Sequence, residues 1–405
     1  MDLVQKVIDL SNKYEDEILD LRREIHKNPE LAFEEWKTSQ LIFDSLSGLG
    51  FGITRDLAGT GILVVLKGKN EGKVLLLRAD MDALPINEKV DIEFKAKVEG
   101  VMHACGHDVH VANLIGVAKI LWELQNEFNG TVKFLFQPGE EKGGGGKKMV
   151  ELGVLDNPKV HAAIALHIMP IKKGEILIPK DIATANSDGF AIKIYGKQAH
   201  TSKPEQGIDA INIAAHIVVA LNSILAKNID PFDVATFSIG RIKGGRANNI
   251  VSDYAQLNGM IRSLSPKARS TIIERIEELS KGIANSFGGK CEFELRPGYP
   301  SVVNHKKLSD KITLNLKKHY GKLIQDIDPS IYNEEDLERY IIGDSKPLMN
   351  AEDFGFISSQ VPSTYYMVGT GDYAPNHSSK FFVDEKYIKL CTRTMTLAAL
   401  EFLRD

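Results

Sequence analysis

The sequence has few cysteines, no excess of positive charge and no long apolar run. Only three of the 405 residues are cysteines, Cys105, Cys291 and Cys391, and they are too scattered for a disulfide framework. The formal net charge of -4 at pH 7 argues against nucleic-acid binding, which needs a basic surface. No stretch approaches the roughly 20 apolar residues that cross a membrane, and the N-terminus lacks the apolar segment of a signal peptide. We therefore expect a cytoplasmic globular protein with reduced cysteines.

The length and the order of predicted elements indicate two domains. A chain of 405 residues exceeds what one ordinary core supports. Strands that alternate with helices predict an α/β domain over residues 1–186 and 299–405, with a mostly parallel sheet flanked by helices. Between them, residues 187–298 follow the order strand, helix, two strands, helix, strand, which predicts an inserted α+β domain of the split βαβ, ferredoxin-like type.

Three local predictions can be tested directly. Apolar residues at helical spacing predict one helix over residues 3–27, which Asn28-Pro29 ends. Residues 62–66 and 74–77 are two β-rich runs, and the glycine-containing segment between them indicates a hairpin or a short loop.

The stretch from Val101 to His110 concentrates metal-binding side chains. It contains Cys105 and His107, separated only by a glycine and placed just before a helix. A thiolate and an imidazole so close together suit zinc or a similar transition metal. Most free cysteines are small buried apolar residues, but this neighbourhood favours a metal role for Cys105. The metalloprotease helix motif, with histidines four apart around a glutamate, is absent.

Further ligand-type side chains follow the predicted strands. In open α/β sheets, ligands bind beyond the carboxyl ends of the strands. Four predicted strands lead into such residues: Asp80 and Asp82, Glu140 and Glu141, His167, and His377. The aspartates could cap a turn and the glutamates could lie in a solvated loop. At the end of an apolar strand, however, one glutamate can bind a metal while the other serves as a base.

The remaining histidines and cysteines of these stretches have more ordinary interpretations. We expect His103 and His110 to support the site rather than bind metal directly. Cys291 and Cys391 lie in apolar strand and helix contexts and are expected in the core.

Together these segments resemble a known family. The motifs are Arg78 to Pro85 (RADMDALP), Met102 to Asp108 (MHACGHD), Gln137 to Glu141 (QPGEE) and Leu166-His167, with further matches at Gly196 to Pro204, Gly244 to Asn249 and Ala351 to Phe354. They resemble the aminoacylase, hippurate hydrolase and auxin-conjugate amidohydrolase branch of the dinuclear metallopeptidases, which also include carboxypeptidase G and peptidase T. The resemblance covers nearly the whole chain in the same order.

The resemblance implies two divalent metal ions in the α/β domain, with zinc, manganese, cobalt and nickel all compatible with these ligands. The implied ligands are Cys105, His107, Glu141, His167 and His377, with Cys105 in the bridging position. The inserted domain would be a lid that also forms the contact of a homodimer or tetramer.

The resemblance also implies roles for five other residues. Glu140 would be the general base, and Asp80 would orient the metal site. His200 would stabilise the oxyanion, from the partner subunit's lid in many relatives. Asn249 and Arg262 would bind the substrate carboxylate, which the planar guanidinium fits well.

The sequence departs from the wider family at two positions. Arg78 stands where wider relatives have a histidine ligand, and this branch uses His107 instead. Ser379 replaces the proline of the usual His-Ser-Pro motif and leaves His377 in place.

The implied activity is hydrolysis of the amide bond of an N-acyl amino acid by metal-activated water. Two alternatives use the same residues: a carboxypeptidase acting on short peptides, and a deacetylase of N-acetyl-diaminopimelate. A non-catalytic metal-binding scaffold is a third alternative, but it would have no need for Glu140 as a base.

Overall fold

The computed structural model describes residues 2–332 and 335–404. They divide into two compact units. The first, called the main unit, consists of the chain up to Ala183, Val302–Lys346 and the chain from Asp353 onward. The second, called the inserted unit, consists of Thr184–Ser301 and Pro347–Glu352. The insertion predicted from the sequence, 187–298, does not include Pro347–Glu352. That segment joins the inserted unit through main-chain hydrogen bonds from Ala185 N to Leu348 O and Asn350 O, between residues far apart in the sequence.

The strands are numbered along the chain. They are β1 (Gly52–Leu57), β2 (Gly61–Lys67), β3 (Val74–Asp80), β4 (Thr131–Gln137), β5 (Ala162–Met169), β6 (Ile176–Ile178), β7 (Asn186–Tyr195), β8 (Ala199–His200), β9 (Ala235–Gly244), β10 (Ile250–Val251), β11 (Tyr254–Ser263), β12 (Lys290–Pro297), β13 (Ile341–Gly343) and β14 (Ser363–Gly369).

The α-helices are numbered in the same way. They are α1 (Leu3–Lys13), α2 (Glu15–Lys27), α3 (Trp36–Leu46), α4 (His107–Glu123), α5 (Gly145–Glu151), α6 (Ala210–Leu221), α7 (Ser223–Asn228), α8 (Pro266–Ser286), α9 (Lys306–Ile324), α10 (Pro329–Tyr332), α11 (Gly355–Ser358) and α12 (Ile388–Leu403).

The main unit is built on one mixed sheet in the order β1-β2-β4-β3-β5-β14-β6-β13. Its centre, β4-β3-β5-β14, is parallel throughout, whereas β1, β2 and β6 pair antiparallel with at least one neighbour. Every residue of β3 and of β14 is buried, as expected for central strands covered on both faces. The predicted α/β fold is confirmed, and the carboxyl ends of four parallel strands lie at one edge of the sheet.

One local prediction is wrong, and for another the structure decides between its two alternatives. The segment predicted as one helix, 3–27, is two helices that meet at Tyr14, and the acidic residues Glu15, Asp16 and Glu17 suit the first turn of a new helix. The runs that became β2 and β3 do not form a hairpin, because β4 lies between them in the sheet. The connection between them is therefore a loop, the other alternative.

The start of α4 is fixed by a glycine and by buried charges. Gly106 has φ +84, and a Cβ there would lie 2.3 Å from Ile168 Cδ1, so only glycine fits between Cys105 and His107. Two residues further, Asp108 Oδ2 lies 2.8 Å from both Arg22 Nε and His26 Nδ1. All three side chains are buried, so α2 holds the first turn of α4 through paired charges.

The inserted unit has an antiparallel sheet in the order β12-β7-β11-β9. In the chain, β7 is followed by α6 and β9, and β11 by α8 and β12. Helices α6 and α8 pack against each other and against this sheet. The strand order matches the predicted split βαβ arrangement.

One stretch of the inserted unit, Ala210–Asn228, is long and apolar enough to cross a membrane by length and composition, contrary to the sequence expectation. It consists of two helices, α6 and α7, that meet at Asn222. About a third of the stretch is buried, including Ile213, Ile217 and Leu221 in the core of the unit.

Candidate metal centre

At the carboxyl edge of the main sheet, ligand-type side chains form two groups that share Cys105. In one group, the ligand atoms of Cys105, His107 and His167 all lie within 4.8 Å of one another. In the other, the same limit holds for Cys105, Glu141 and His377. The five residues implied as ligands are thus brought together, although Cys105 and His377 are 272 positions apart in the sequence (377 minus 105). The shared thiol is the side chain that could bridge two ions.

His167, near the end of β5, presents an unprotonated nitrogen to the thiol. Its Nδ1 donates to the carbonyl of Ile168 at 2.6 Å, so Nε2 carries the lone pair. That Nε2 lies 3.5 Å from Cys105 Sγ. Burial, reinforced by the neighbouring His110, holds the pKa of His167 well below its usual value. A neutral imidazole beside a thiol is the state that binds a metal ion.

His107 is buried with unsatisfied ring nitrogens. Within the described parts of the chain, neither nitrogen makes a hydrogen bond of good geometry. The nearest carboxylate atoms are Asp82 Oδ1, 3.3 Å from Nδ1, and Asp80 Oδ2, 3.7 Å from Nε2. Burial lowers the pKa of His107, but Asp80, Asp82 and Cys105 outweigh it and raise the pKa well above its usual value. A buried imidazole surrounded by anionic groups fits a bound divalent cation, which would balance their charge.

His377 reaches the site from the loop after β14. Its main-chain N–H donates to Ala104 O at 2.8 Å, and its Nε2 lies 3.1 Å from Glu141 Oε1. Hydrogen bonding to Cys105 and to Glu141 raises the pKa of His377 to about 10. The residue before it, Asn376, donates from Nδ2 to Cys105 Sγ at 3.4 Å. The loop therefore contacts the thiol through two successive residues despite the serine at position 379.

Glu140 and Glu141 lie in a turn that a third carboxylate holds. The main-chain N–H groups of Glu140 and Glu141 donate to the two oxygens of Asp82, at 3.0 and 2.9 Å. The Glu140 side chain is buried, and its Oε1 accepts from Asp353 N at 3.4 Å. Glu140 also lies in a group with His107 and Glu141 whose ligand atoms fall within 4.8 Å of one another. Glu141 therefore faces His377, while Glu140 lies beside His107.

Asp80 supports the site through His110 and Arg78. Its Oδ1 lies 2.6 Å from His110 Nδ1, and His110 Nε2 accepts from Ile168 N at 3.0 Å. Both nitrogens of His110 are therefore engaged, which leaves none for a metal. Burial would raise the pKa of Asp80, but Arg78, at 2.5 Å, and the neighbouring histidines hold it well below its usual value.

His103 is buried without a partner for either ring nitrogen among the described residues. Burial lowers its pKa to about 3, so the ring is neutral. Of the other two cysteines, Cys391 is fully buried in the main core, and Cys291 is partly buried against the core of the inserted unit.

Sequence reasoning missed Asp353 and Gln137. Asp353 accepts from Arg78 Nη2 at 2.7 Å, from Gln137 Nε2 at 2.9 Å and from the N–H of Gly146 at 2.7 Å. Arg78 Nε also donates to Gln137 Oε1 at 2.9 Å. Arg78, which stands where wider relatives have a ligand histidine, is thus the charge partner of two buried aspartates. A buried arginine in a strand was the available signal, since such a charge needs carboxylates nearby.

The other predicted residues lie in the inserted unit. His200 is exposed, and its Nδ1 accepts from Ser202 N at 3.1 Å. Asn249 is its neighbour through β8 and β10, with the Asn249 carbonyl accepting from Thr201 N at 3.2 Å. Arg262, in β11, donates from Nη1 to the carbonyl of Met349 at 3.0 Å. The structure thus brings His200 and Asn249 together. Arg262 is bonded to Met349, in the segment Pro347–Glu352 that lies outside the predicted insertion.

Thiol, imidazole and carboxylate ligands at the edge of an α/β sheet, with a further buried glutamate beside them, define a metal-dependent hydrolase. Comparison with known proteins gives the family. Residues 76–401 match the profile of peptidase family M20/M25/M40, and the chain belongs to this family.

Individual relatives extend the similarity over the full length. Thermostable carboxypeptidase 2 of Saccharolobus solfataricus is 36% identical, over 99% of both chains. Hippurate hydrolase of Campylobacter jejuni is 32% identical over 100% of both. Among solved structures, a dinuclear metal-binding peptidase of family M20 from Bacillus subtilis is 29% identical and covers 97% of this chain and 99% of that one, with a TM-score of 0.82.

Removal of the shared thiol tests the metal centre. Because Cys105 belongs to both ligand groups, Cys105→Ala should lower metal content by more than the share of one ion, from about two ions per chain to below one. Elemental analysis after dialysis measures this. Cys291→Ala, which removes a partly buried cysteine of the inserted unit, is the matched control and should keep wild-type metal content. Equal metal content in the two variants would contradict the assignment.

Proposed function

We propose that the protein hydrolyses the amide bond of N-acyl amino acids, with Glu140 as the general base. The proposal rests on one observation. Two groups of ligand-type side chains share Cys105, and the buried Glu140 lies beside them. The next residue in the sequence, Glu141, belongs to one of the two groups. A scaffold that only binds metal has no use for this additional acid. The relative named hippurate hydrolase, similar over its full length, supports an N-acyl amino acid as the substrate.

The residues fit two divalent cations, held by Cys105, His107, Glu141, His167 and His377. When bound, such ions supply Lewis acidity, which acidifies water and polarises a carbonyl oxygen. Thiolate, imidazole and carboxylate ligands suit zinc, manganese, cobalt or nickel.

Glu140 moves the proton. Its carboxylate accepts a proton from the attacking water as the new C–O bond forms at the amide carbon. When the C–N bond breaks, it gives that proton to the leaving amine nitrogen. The Asp353 N–H at Oε1 and the Asp82 bond to the Glu140 main chain hold the carboxylate in place, so little reorganisation is needed during the transfer.

His200, Asn249 and Arg262 are proposed to bind the substrate. Because His200 Nδ1 accepts a main-chain N–H, a neutral ring carries its proton on Nε2 and can donate it to an oxyanion. One such donor is worth roughly 3 kcal/mol in the transition state. The guanidinium of Arg262 keeps donors beyond the one that bonds to Met349, and these, with the amide of Asn249, would receive the substrate carboxylate.

A carboxypeptidase activity on short peptides is the second candidate, because thermostable carboxypeptidase 2 is 36% identical over nearly the full chain. The same residues would act on a C-terminal peptide bond. Deacetylation of N-acetyl-diaminopimelate uses the same machinery again.

A substrate panel with metal reconstitution tests the activity. Metal-free protein should be inactive, and one or more of zinc, manganese, cobalt and nickel should restore hydrolysis. We expect kcat/KM to be highest for N-acetyl or benzoyl amino acids, lower for dipeptides and lower for N-acetyl-diaminopimelate. A preference for dipeptides would favour the carboxypeptidase, and inactivity on the whole panel with every metal would favour the scaffold.

Substitution of the base tests the mechanism. Glu140→Gln keeps the size of the side chain but cannot accept the proton, so kcat should fall by about 10²–10⁴-fold while KM and metal content change little. Steady-state kinetics and elemental analysis measure both. Glu151→Gln, an exposed position near the end of α5, should match the wild type. A near-normal rate in Glu140→Gln would exclude Glu140 as the base.

We also propose that two chains associate through the inserted unit. Strand β9 lies at an edge of its sheet, where main-chain donors and acceptors can pair with another strand. Ile242 on β9 and Val219 on α6 are 59% and 75% exposed. Light scattering should give about twice the chain mass of 44.8 kDa, and Ile242→Lys should shift the protein toward one chain. A single-chain mass for the wild type would rule this assembly out.

A further inference from the structure

We propose that Asp82 is a positioning residue that holds the ligand His107 and the Glu140–Glu141 turn in one fixed arrangement. The motif Arg78 to Pro85 places Asp82 two residues beyond Asp80, and the roles that the resemblance implies do not include it. The expected effect of an Asp82 substitution on turnover rests on the proposed function. Its expected effect on metal affinity can be measured without any substrate.

Three groups converge on this one carboxylate. Oδ1 accepts from Glu140 N at 3.0 Å and lies 3.3 Å from His107 Nδ1, while Oδ2 accepts from Glu141 N at 2.9 Å. The side chain of Asp82 is almost completely buried. A buried carboxylate requires such donors, and each charged hydrogen bond is stronger than a neutral one.

The chemistry of the group explains why an aspartate stands here. A carboxylate has two acceptor oxygens and no proton to donate, so it can bind main-chain N–H groups through both and still face an imidazole N–H. An asparagine has one acceptor oxygen, and its NH₂ group would face a donor. No neutral side chain of this size can serve all three groups.

The arrangement also selects the nitrogen of His107 that binds metal. Ligand histidines commonly donate one ring N–H to a carboxylate, which fixes the ring and leaves the other nitrogen for the ion. With Nδ1 facing Asp82, His107 offers Nε2. The same carboxylate fixes the main chain of the base and of the ligand Glu141, so an altered Asp82 would disturb a ligand and the base together.

A purely structural role is the alternative, in which Asp82 only caps the turn after β4. Glu35 provides the comparison, because it is also buried and accepts from Gly139 N in that turn at 2.9 Å, and from the Thr60 hydroxyl at 2.5 Å. Loss of either carboxylate should loosen the turn. Only loss of Asp82 should also change the environment of His107.

The experiment compares Asp82→Asn with Glu35→Gln by titrating the metal-free proteins with cobalt(II) and zinc. We expect the affinity of Asp82→Asn to fall by about 10–100-fold, as for other partners of ligand histidines, with an altered visible spectrum of bound cobalt. Its kcat should fall while KM stays close to the wild-type value. Glu35→Gln should lose thermal stability and much less metal affinity than Asp82→Asn, and it should keep the wild-type cobalt spectrum because the environment of His107 is unchanged. Wild-type affinity in Asp82→Asn, or an equal loss in Glu35→Gln, would overturn the proposal.

A second variant keeps the proposal testable if Asp82→Asn does not fold. Asp82→Glu retains the charge and both oxygens but moves them by one methylene, so its metal affinity should also be weakened. Wild-type affinity in Asp82→Glu would contradict the positioning role. If the wild-type protein hydrolyses nothing on the panel and the affinity difference persists, the proposed activity fails and the role of Asp82 stands.

Discussion

The site depends on one constraint: polar groups buried at the edge of a parallel sheet must each find a partner. The strands that lead to this edge are apolar and covered on both faces, so the residues at their ends are poorly exposed to water. Asp80 is paired with Arg78 and His110, and Asp353 with Arg78 and Gln137. These pairings satisfy two carboxylates that are not among the proposed metal ligands. The cluster around Cys105 is left with a thiol, imidazoles and a carboxylate that suit a cation.

Arg78 shows how this constraint shapes the charge of the site. A histidine ligand at that position, as in the wider relatives that the sequence resembles, would add a neutral donor for metal. The arginine instead brings a permanent positive charge between the buried Asp80 and Asp353 and, with the neighbouring histidines, holds the pKa of Asp80 well below its usual value. His107, the ligand proposed instead, comes from the start of α4 rather than from β3. Gly106, with its positive φ, allows α4 to begin directly after Cys105 and so places His107 beside the thiol.

Much of the fold, and the gathering of ligand-type side chains at one edge of the sheet, could be predicted because the signals are local. Apolar runs such as 131–136 and 161–166 indicate strands, and in a parallel sheet the residues that follow them must meet at one edge. Whatever depends on distant pairing could not be predicted in this way. The insertion of β4 between β2 and β3, and the bond between Arg78 and Asp353 over 275 residues, leave no local pattern. The break at Tyr14 was missed because helical spacing continues across it.

Asp82 shows, within a single motif, the same difference between what the local sequence indicates and what depends on distant residues. The sequence could indicate that a carboxylate after a buried strand holds something, because an isolated buried charge is too costly. It could not indicate what Asp82 holds, since its partners come from the turn after β4 and from α4. Asp80 and Asp82 lie on the same short segment, yet one is paired mainly with side chains and the other mainly with the main chain of a turn. A carboxylate that binds main-chain N–H groups fixes the path of the chain, whereas one that binds side chains fixes their orientation. The edge uses both: Asp82 fixes the turn that contains Glu140 and Glu141, Asp80 orients His110, and both carboxylates lie beside His107.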